Sequence, residues 1–178
     1  MLEPCAADAV ALFERHFAHI AATRMADLPL NNPALRVEAV AFCDWQGALV
    51  GVLIVPWAIN LVVLPGRSAA FRALAVDEKQ SWSFPSGEYQ FMGGSDEAFG
   101  AYQFCSLFSP ALEFVSHADA RSTAEEVMKA LLTPVADTPA TTAATAETAR
   151  LAGQPLLEQP ISRRGFLRGG FLGKSNEA

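Results

Sequence analysis

Residues 48–65 read ALVGVLIVPWAINLVVLP, apolar throughout except for Asn60. A run of this length approaches the roughly 20 residues that a membrane-spanning helix needs. Its composition points elsewhere. Pro56 stands in the middle, where a helix would lose a hydrogen bond and clash with the preceding turn, and Val and Ile dominate on either side. Gly47 precedes the run. Two buried strands joined at Pro56-Trp57 account for it with less strain than a broken helix. No stable membrane insertion is therefore expected, although a membrane-associated factor using this run stays open as an alternative.

Around that hairpin the sequence changes period. From Ala6 to Met25, Val10, Phe13, Phe17, Ile20 and Ala21 recur at the spacing of one helical face, with Pro4 suited to the first turn. After the Pro29–Pro33 breaker, Arg36–Trp45 alternates between faces, and Gln46-Gly47 supplies a turn into the Val-rich run. Further strands are predicted at Ile59–Leu64, Ser81–Phe84, Glu88–Met92 and Ala101–Leu107, with turns at Pro85-Ser86-Gly87 and Gly93-Gly94. Ser109-Pro110 is predicted to open a short helical turn through Phe114. A helix at Asp119–Leu132 would place Ala120, Ala124, Val127, Met128 and Leu131 on one side. The expected fold class is α+β: a single domain with a mostly antiparallel sheet, an N-terminal helix and C-terminal helices, followed by a flexible tail.

Beyond Leu132 the chain becomes TPVADTPATTAATAETA, with almost no bulky side chain to bury against its ordering entropy. The expected organisation is thus a domain at 1–132, a flexible linker at 133–157 and a tail at 158–178. Residues 1–132 carry 8 basic and 15 acidic side chains, and residues 133–178 carry 5 and 4. An acidic body with a net charge of −6 for the whole chain offers no general attraction to phosphate, so nucleic acid is not an expected partner. Cys5, Cys43 and Cys105 are odd in number and widely spaced, which fits reduced thiols in the cytoplasm better than a disulfide framework. Glu3 and Asp8 occupy the place of the basic region of a secretory signal, so none is expected at the N-terminus.

Few residues are arranged for catalysis. The best nucleophile–base combinations are Cys105 or Cys43 with His117, His16 or His19, and no G-x-S-x-G elbow or cysteine-protease signature surrounds them. A thiol-dependent enzyme using Cys105 with His117 remains an alternative reading. The other reading is a buried hydrophobe, since both cysteines fall on predicted strands. His16 and His19 could share one helical face as two metal ligands, but no third ligand stands at a recognisable spacing. Gly93-Gly94 lacks the rest of a phosphate-binding loop. No metal or cofactor is implied.

Near the C-terminus, Ser162-Arg163-Arg164-Gly165-Phe166-Leu167-Arg168 resembles the S-R-R-x-F-L-K motif of twin-arginine export signals, yet no apolar stretch or small-residue cleavage site follows it. Ser162, Arg163, Arg164, Phe166 and Leu167 therefore read as a binding segment. Arginines pair with carboxylates and the phenylalanine and leucine anchor in apolar pockets, so the receiving surface should be both acidic and apolar. Asp77, Glu78, Asp96, Glu97 and Glu113 are candidate receivers. The alternative is a tail that only docks on the acidic body.

Three strings in order, V-P-W-x-x-N-L-V-V-L-P (Val55–Pro65), F-P-S-G-x-Y-x-F (Phe84–Phe91) and Y-x-F-C-S-L-F-S-P (Tyr102–Pro110), together resemble the HybE family of nickel-iron hydrogenase assembly chaperones. The resemblance covers about residues 8–132 and the tail motif. It implies a non-enzymatic accessory role in maturing an uptake hydrogenase. The implied partners are the small-subunit precursor, bound through its twin-arginine signal before export, the large subunit, and other assembly factors including a rubredoxin-like protein. Some relatives carry a fused rubredoxin module, whose iron needs two C-x-x-C pairs, and this sequence has none. The resemblance points to Pro56, Trp57, Phe84, Pro85, Gly87, Tyr102, Cys105, Ser106 and Pro110 as partner-binding residues.

Overall fold

A computed structural model describes residues 4–75 and 77–134. The order is α1 (Pro4–Ala22), β1 (Glu38–Trp45), β2 (Ala48–Val55), β3 (Ala58–Leu64), β4 (Lys79–Phe84), β5 (Gly87–Asp96), β6 (Gly100–Phe108) and α2 (His117–Leu131). The strands form one sheet in the order β1-β2-β3-β6-β5-β4, with every neighbouring pair antiparallel. This is the α+β fold expected. The expected linker beyond Pro134, and the tail motif Ser162, Arg163, Arg164, Phe166 and Leu167, lie outside the described residues.

The apolar run is the β2–β3 hairpin, turning at Pro56-Trp57, with Val55 paired to Ala58 and Leu49 to Leu64. Every residue of β2 is buried because both of its faces are covered. On one face Phe13 of α1 packs with Leu49, Leu53, Val55, Ala58, Val62 and Leu64, and Val10, Phe17, Phe42, Tyr102 and Phe104 surround that cluster. The alternate residues, Val50, Val52, Ile54, Leu61 and Val63, are also buried. They face the side that α2 covers with Ala120, Ala124, Val127, Met128 and Leu131. Burying a side chain of this size contributes about 1.5–3 kcal/mol, so continuous hydrophobicity marks a strand covered on both faces. Among the described residues no helix is long and apolar enough to cross a membrane.

Local chemistry explains the connections. Gln46 and Gly47 have φ of 52° and 81°, the pair of positive values that a two-residue turn matched to strand twist requires. The Ser116 hydroxyl caps α2 by accepting the Asp119 N–H at 3.1 Å. The sheet is strongly coiled: the indole N–H of Trp45, at the end of β1, donates to the Ser83 carbonyl of β4 at 3.2 Å, and its ring stacks on Phe84. The two outer strands meet at that corner.

Two expectations are corrected. Gly93-Gly94 is no turn; both residues lie within β5, and the chain turns at residues 97–99. A side chain at 93 would run into Leu74, and one at 94 into the ring of Tyr102, so these glycines permit close approach. The segment from Ser109 to Ser116 makes bends and a turn where a short helical turn was expected. Its Ala111 and Phe114 carbonyls accept the side-chain amide of Asn32, which replaces helical N–H partners.

Candidate functional site

By connectivity β2, β4 and β6 end, and β3 and β5 begin, at the same end of the sheet. The loops gathered there are tied by Asn32. Its segment, DLPLNNP (residues 27–33), has two prolines and two asparagines, so it forms neither helix nor strand. Its backbone polar groups are satisfied by other means. Asn32 is buried, and its N–H donates to the Pro56 carbonyl at 2.8 Å. Its side-chain Nδ2 donates to Ala111 at 2.9 Å and to Phe114 at 2.8 Å, while Oδ1 accepts the Ala34 N–H at 2.9 Å. One residue thereby joins the α1–β1 loop, the β2–β3 turn and the β6–α2 loop.

Pro56, Trp57 and Pro110 fall around this hub, Trp57 with its ring against the α1-side cluster and Pro110 exposed beside Ala111. Phe84, Pro85 and Gly87 form a separate turn at the same strand ends, fastened to α2 where the Ser86 N–H donates to the Leu131 carbonyl at 3.2 Å. Phe84 is buried, and Gly87 adopts φ of 137°, which favours glycine, so both have structural work there. Tyr102 lies under α1, its ring 5.3 Å from that of Phe13 and 5.8 Å from that of Phe17. Burial and the neighbouring Asp96 push its phenol above the ordinary value. Ser106 is exposed and pairs in register with Asn60. Cys105 is buried on the opposite face, so the structure does not gather these nine residues into one cluster.

The residues that sequence patterns overlooked are Asn32 and the exposed Leu28, Leu30, Leu112 and Val115 in the loops that it joins. One signal for them exists. Large apolar side chains recur in DLPLNNP and PALEFVS, where the turn-forming residues exclude a helical or strand face that could bury them.

Two of the candidate bases, His16 and His117, have carboxylate partners. His117 accepts the Arg36 N–H at Nδ1, 3.3 Å away, so its Nε2 carries the proton and donates to Glu38. Glu38 also receives Arg121 at 3.0 Å. Both ring nitrogens of His117 are thus engaged, by Arg36 and by Glu38. Cys43 is half-buried on β1, and burial followed by nearby Asp44 raises its thiol above the usual range. His16 lies 3.2 Å from Asp96, which also binds Arg24 at 3.1 Å. The Ala98 N–H, then Arg24, hold the Asp96 carboxyl below its ordinary value, so Asp96 is a clamp for α1. Asp77, Glu78, Glu97 and Glu113 are all exposed, and Glu78 accepts the Ala75 N–H at 2.9 Å. Among the described residues no three His, Cys, Asp or Glu side chains converge to hold a metal. A shallow groove between α1 and β1 is lined by Ala7, Val10, Ala11, Glu14, Ala39 and Phe42. The arrangement suits binding through loops carried on a rigid sheet.

Comparison with known proteins places this geometry. The family model described as NiFe-hydrogenase assembly, chaperone, HybE matches residues 8–169. Protein HoxT of Cupriavidus necator is 42% identical over 140 residues, covering 71% of this chain and 77% of that protein. The hydrogenase expression/formation protein HupJ of Bradyrhizobium diazoefficiens is 37% identical over 166 residues, covering 92% and 90%. The solution structure of HybE from Escherichia coli superposes with a TM-score of 0.57 at 25% identity, covering 86% of this chain and 91% of that one.

Proposed function

The chain belongs to the HybE family of NiFe-hydrogenase assembly chaperones, and from that premise we propose that it binds the precursor of a hydrogenase small subunit through its twin-arginine signal before export. The large subunit is a second partner, and a rubredoxin-like protein acts beside them in assembly. In this reading the chain works in the cytoplasm by recognition, without catalysing a reaction. The observation that carries it is the Asn32 hub, which ties three loops at one end of the sheet; in this reading those loops form the recognition surface. An acidic body supports the same reading, because a signal with two arginines finds complementary charge there. Pro56, Trp57 and Pro110 are the expected contacts nearest the hub, and Phe84, Pro85, Gly87, Tyr102, Cys105 and Ser106 lie farther from it and shape the surface. The tail motif, Ser162, Arg163, Arg164, Phe166 and Leu167, offers the same chemistry as the signal and competes with it.

The test is fluorescence-polarisation binding of a labelled small-subunit signal peptide to the full chain, beside a peptide in which both arginines are lysine. Binding that weakens with lysine supports signal recognition, since only guanidinium pairs bidentately with carboxylate. No binding of either peptide sinks the signal reading and moves the partner to the large subunit.

A further inference from the structure

Leucine and valine exposed one at a time are ordinary features of a protein surface. Here four of the six exposed large hydrophobic residues among those described sit on the two loops that Asn32 joins: Leu28 and Leu30, then Leu112 and Val115. Leu30, Leu112 and Val115 are 50%, 54% and 86% exposed, more than scattered accidents of packing would place at one end of a sheet. Their exposure is not fraying, because the backbone on both loops is held by hydrogen bonds of 2.8 and 2.9 Å from the buried Asn32.

The charge around this rim has one sign. Asp27 precedes Leu28 and Glu113 follows Leu112; both are exposed, and neither forms an ion pair among the described residues. No lysine or arginine occurs between Arg24 and Arg36, or between Lys79 and Arg121. Arg24 and Arg36, which bracket the first loop, already face Asp96 and Glu38. The two loops that Asn32 joins thus carry four exposed apolar side chains and two carboxylates without an ion-pair partner among the described residues. Phosphate backbones and anionic lipid surfaces are repelled by this rim, and an identical copy would bring like charges together.

We propose that Leu28, Leu30, Leu112 and Val115, with Asp27 and Glu113, form the docking surface for a partner segment that carries arginines immediately before bulky apolar residues. The arginines meet the two carboxylates, and the apolar side chains cover the leucines and the valine. This rests on the chaperone reading above and names the surface that performs it. The rim also explains why a buried asparagine is placed where an apolar residue would pack more simply: the loops must present these apolar side chains without collapsing onto them.

The test uses the full chain and two labelled probes: a small-subunit signal peptide, and the peptide SRRGFLRGGFLG taken from residues 162–173. Two rim variants, Leu112→Ser/Val115→Ser and Asp27→Lys/Glu113→Lys, are compared with a control that removes apolar surface elsewhere, Leu12→Ser/Met92→Ser. All these side chains are exposed, and unchanged unfolding midpoints verify the fold. Each rim variant is expected to weaken signal binding by about tenfold or more, while the control stays within about twofold. Undiminished binding by both rim variants overturns the rim and leaves the chaperone reading standing. No signal binding by the unaltered chain overturns both. Rim-dependent binding of the 162–173 peptide alone makes the occupant the chain's own tail, which overturns the partner assignment.

Discussion

The side-chain amide of Asn32 reaches the carbonyl of Ala111, 79 positions away, at 2.9 Å. Truncating Asn32 to alanine leaves the Ala111 and Phe114 carbonyls and the Ala34 N–H without their partner. Asn32→Ala is therefore expected to lower stability by about 2 kcal/mol, read as a shift in the urea midpoint. Asn32→Asp should cost at least as much, because it places a carboxylate against two carbonyl oxygens. An unchanged midpoint in both variants would show that water replaces the hub at no cost.

A second buried network lies on the α2 side of the sheet. The Trp82 indole donates to Gln103 Oε1 at 2.8 Å, and Gln103 Nε2 donates to the Arg72 carbonyl at 2.8 Å and to Gln80 at 2.9 Å. Trp82→Phe and Gln103→Leu should each destabilise by about 1–3 kcal/mol, since each strands a buried polar group. The double variant should cost less than the sum of the two, as a double-mutant cycle measures. Simple additivity would mean that the two side chains act independently.

Asp96→Asn should loosen α1 from the β5–β6 hairpin. The folded carboxyl titrates below its ordinary value of 3.8, held there by Ala98 and Arg24. A depressed folded pKa contributes stability above the unfolded pKa and loses it as the pH falls through the folded one. The gap in thermal midpoint between wild type and variant is thus expected in full at about pH 7, narrowing only below about pH 4. A gap that does not depend on pH would locate the effect in packing.

Cys43 and Cys105 should resist alkylation by iodoacetamide in the native protein and label fully after unfolding. Burial raises the Cys43 thiol, and Cys105 is 5% exposed. Peptide mass spectrometry resolves the two sites. Rapid native labelling of Cys105 would reopen the thiol-enzyme reading.

The elements that periodicity could identify were those that bury a single repeating face or stand at a sharp turn. Val10, Phe13 and Phe17 mark α1, Ala120, Ala124 and Val127 mark α2, and Pro56-Trp57 divides a run too apolar for anything but a strand pair covered on both faces. Gly93-Gly94 misleads because what it accommodates, Leu74 and Tyr102, is set by tertiary packing rather than by neighbours in sequence. Tyr102 and Cys105 stand an odd number of positions apart on β6, so alternation alone sends them to opposite faces. Asn32 was invisible for a different reason: an asparagine beside a proline reads as an ordinary turn residue, and its partners come from segments about 80 positions away.

Each border of the sheet is interrupted by a side-chain hydrogen bond. On β1 the Glu14 carboxylate takes the Ala39 N–H at 2.8 Å, and a bulge between Val40 and Cys43 interrupts the ladder. On β4 the Ser83 carbonyl is taken by Trp45. Neither border presents the unbroken row of amides and carbonyls that templates fibre growth. For a member of an assembly-chaperone family, this makes the sheet edges a poor template for pairing with a second copy.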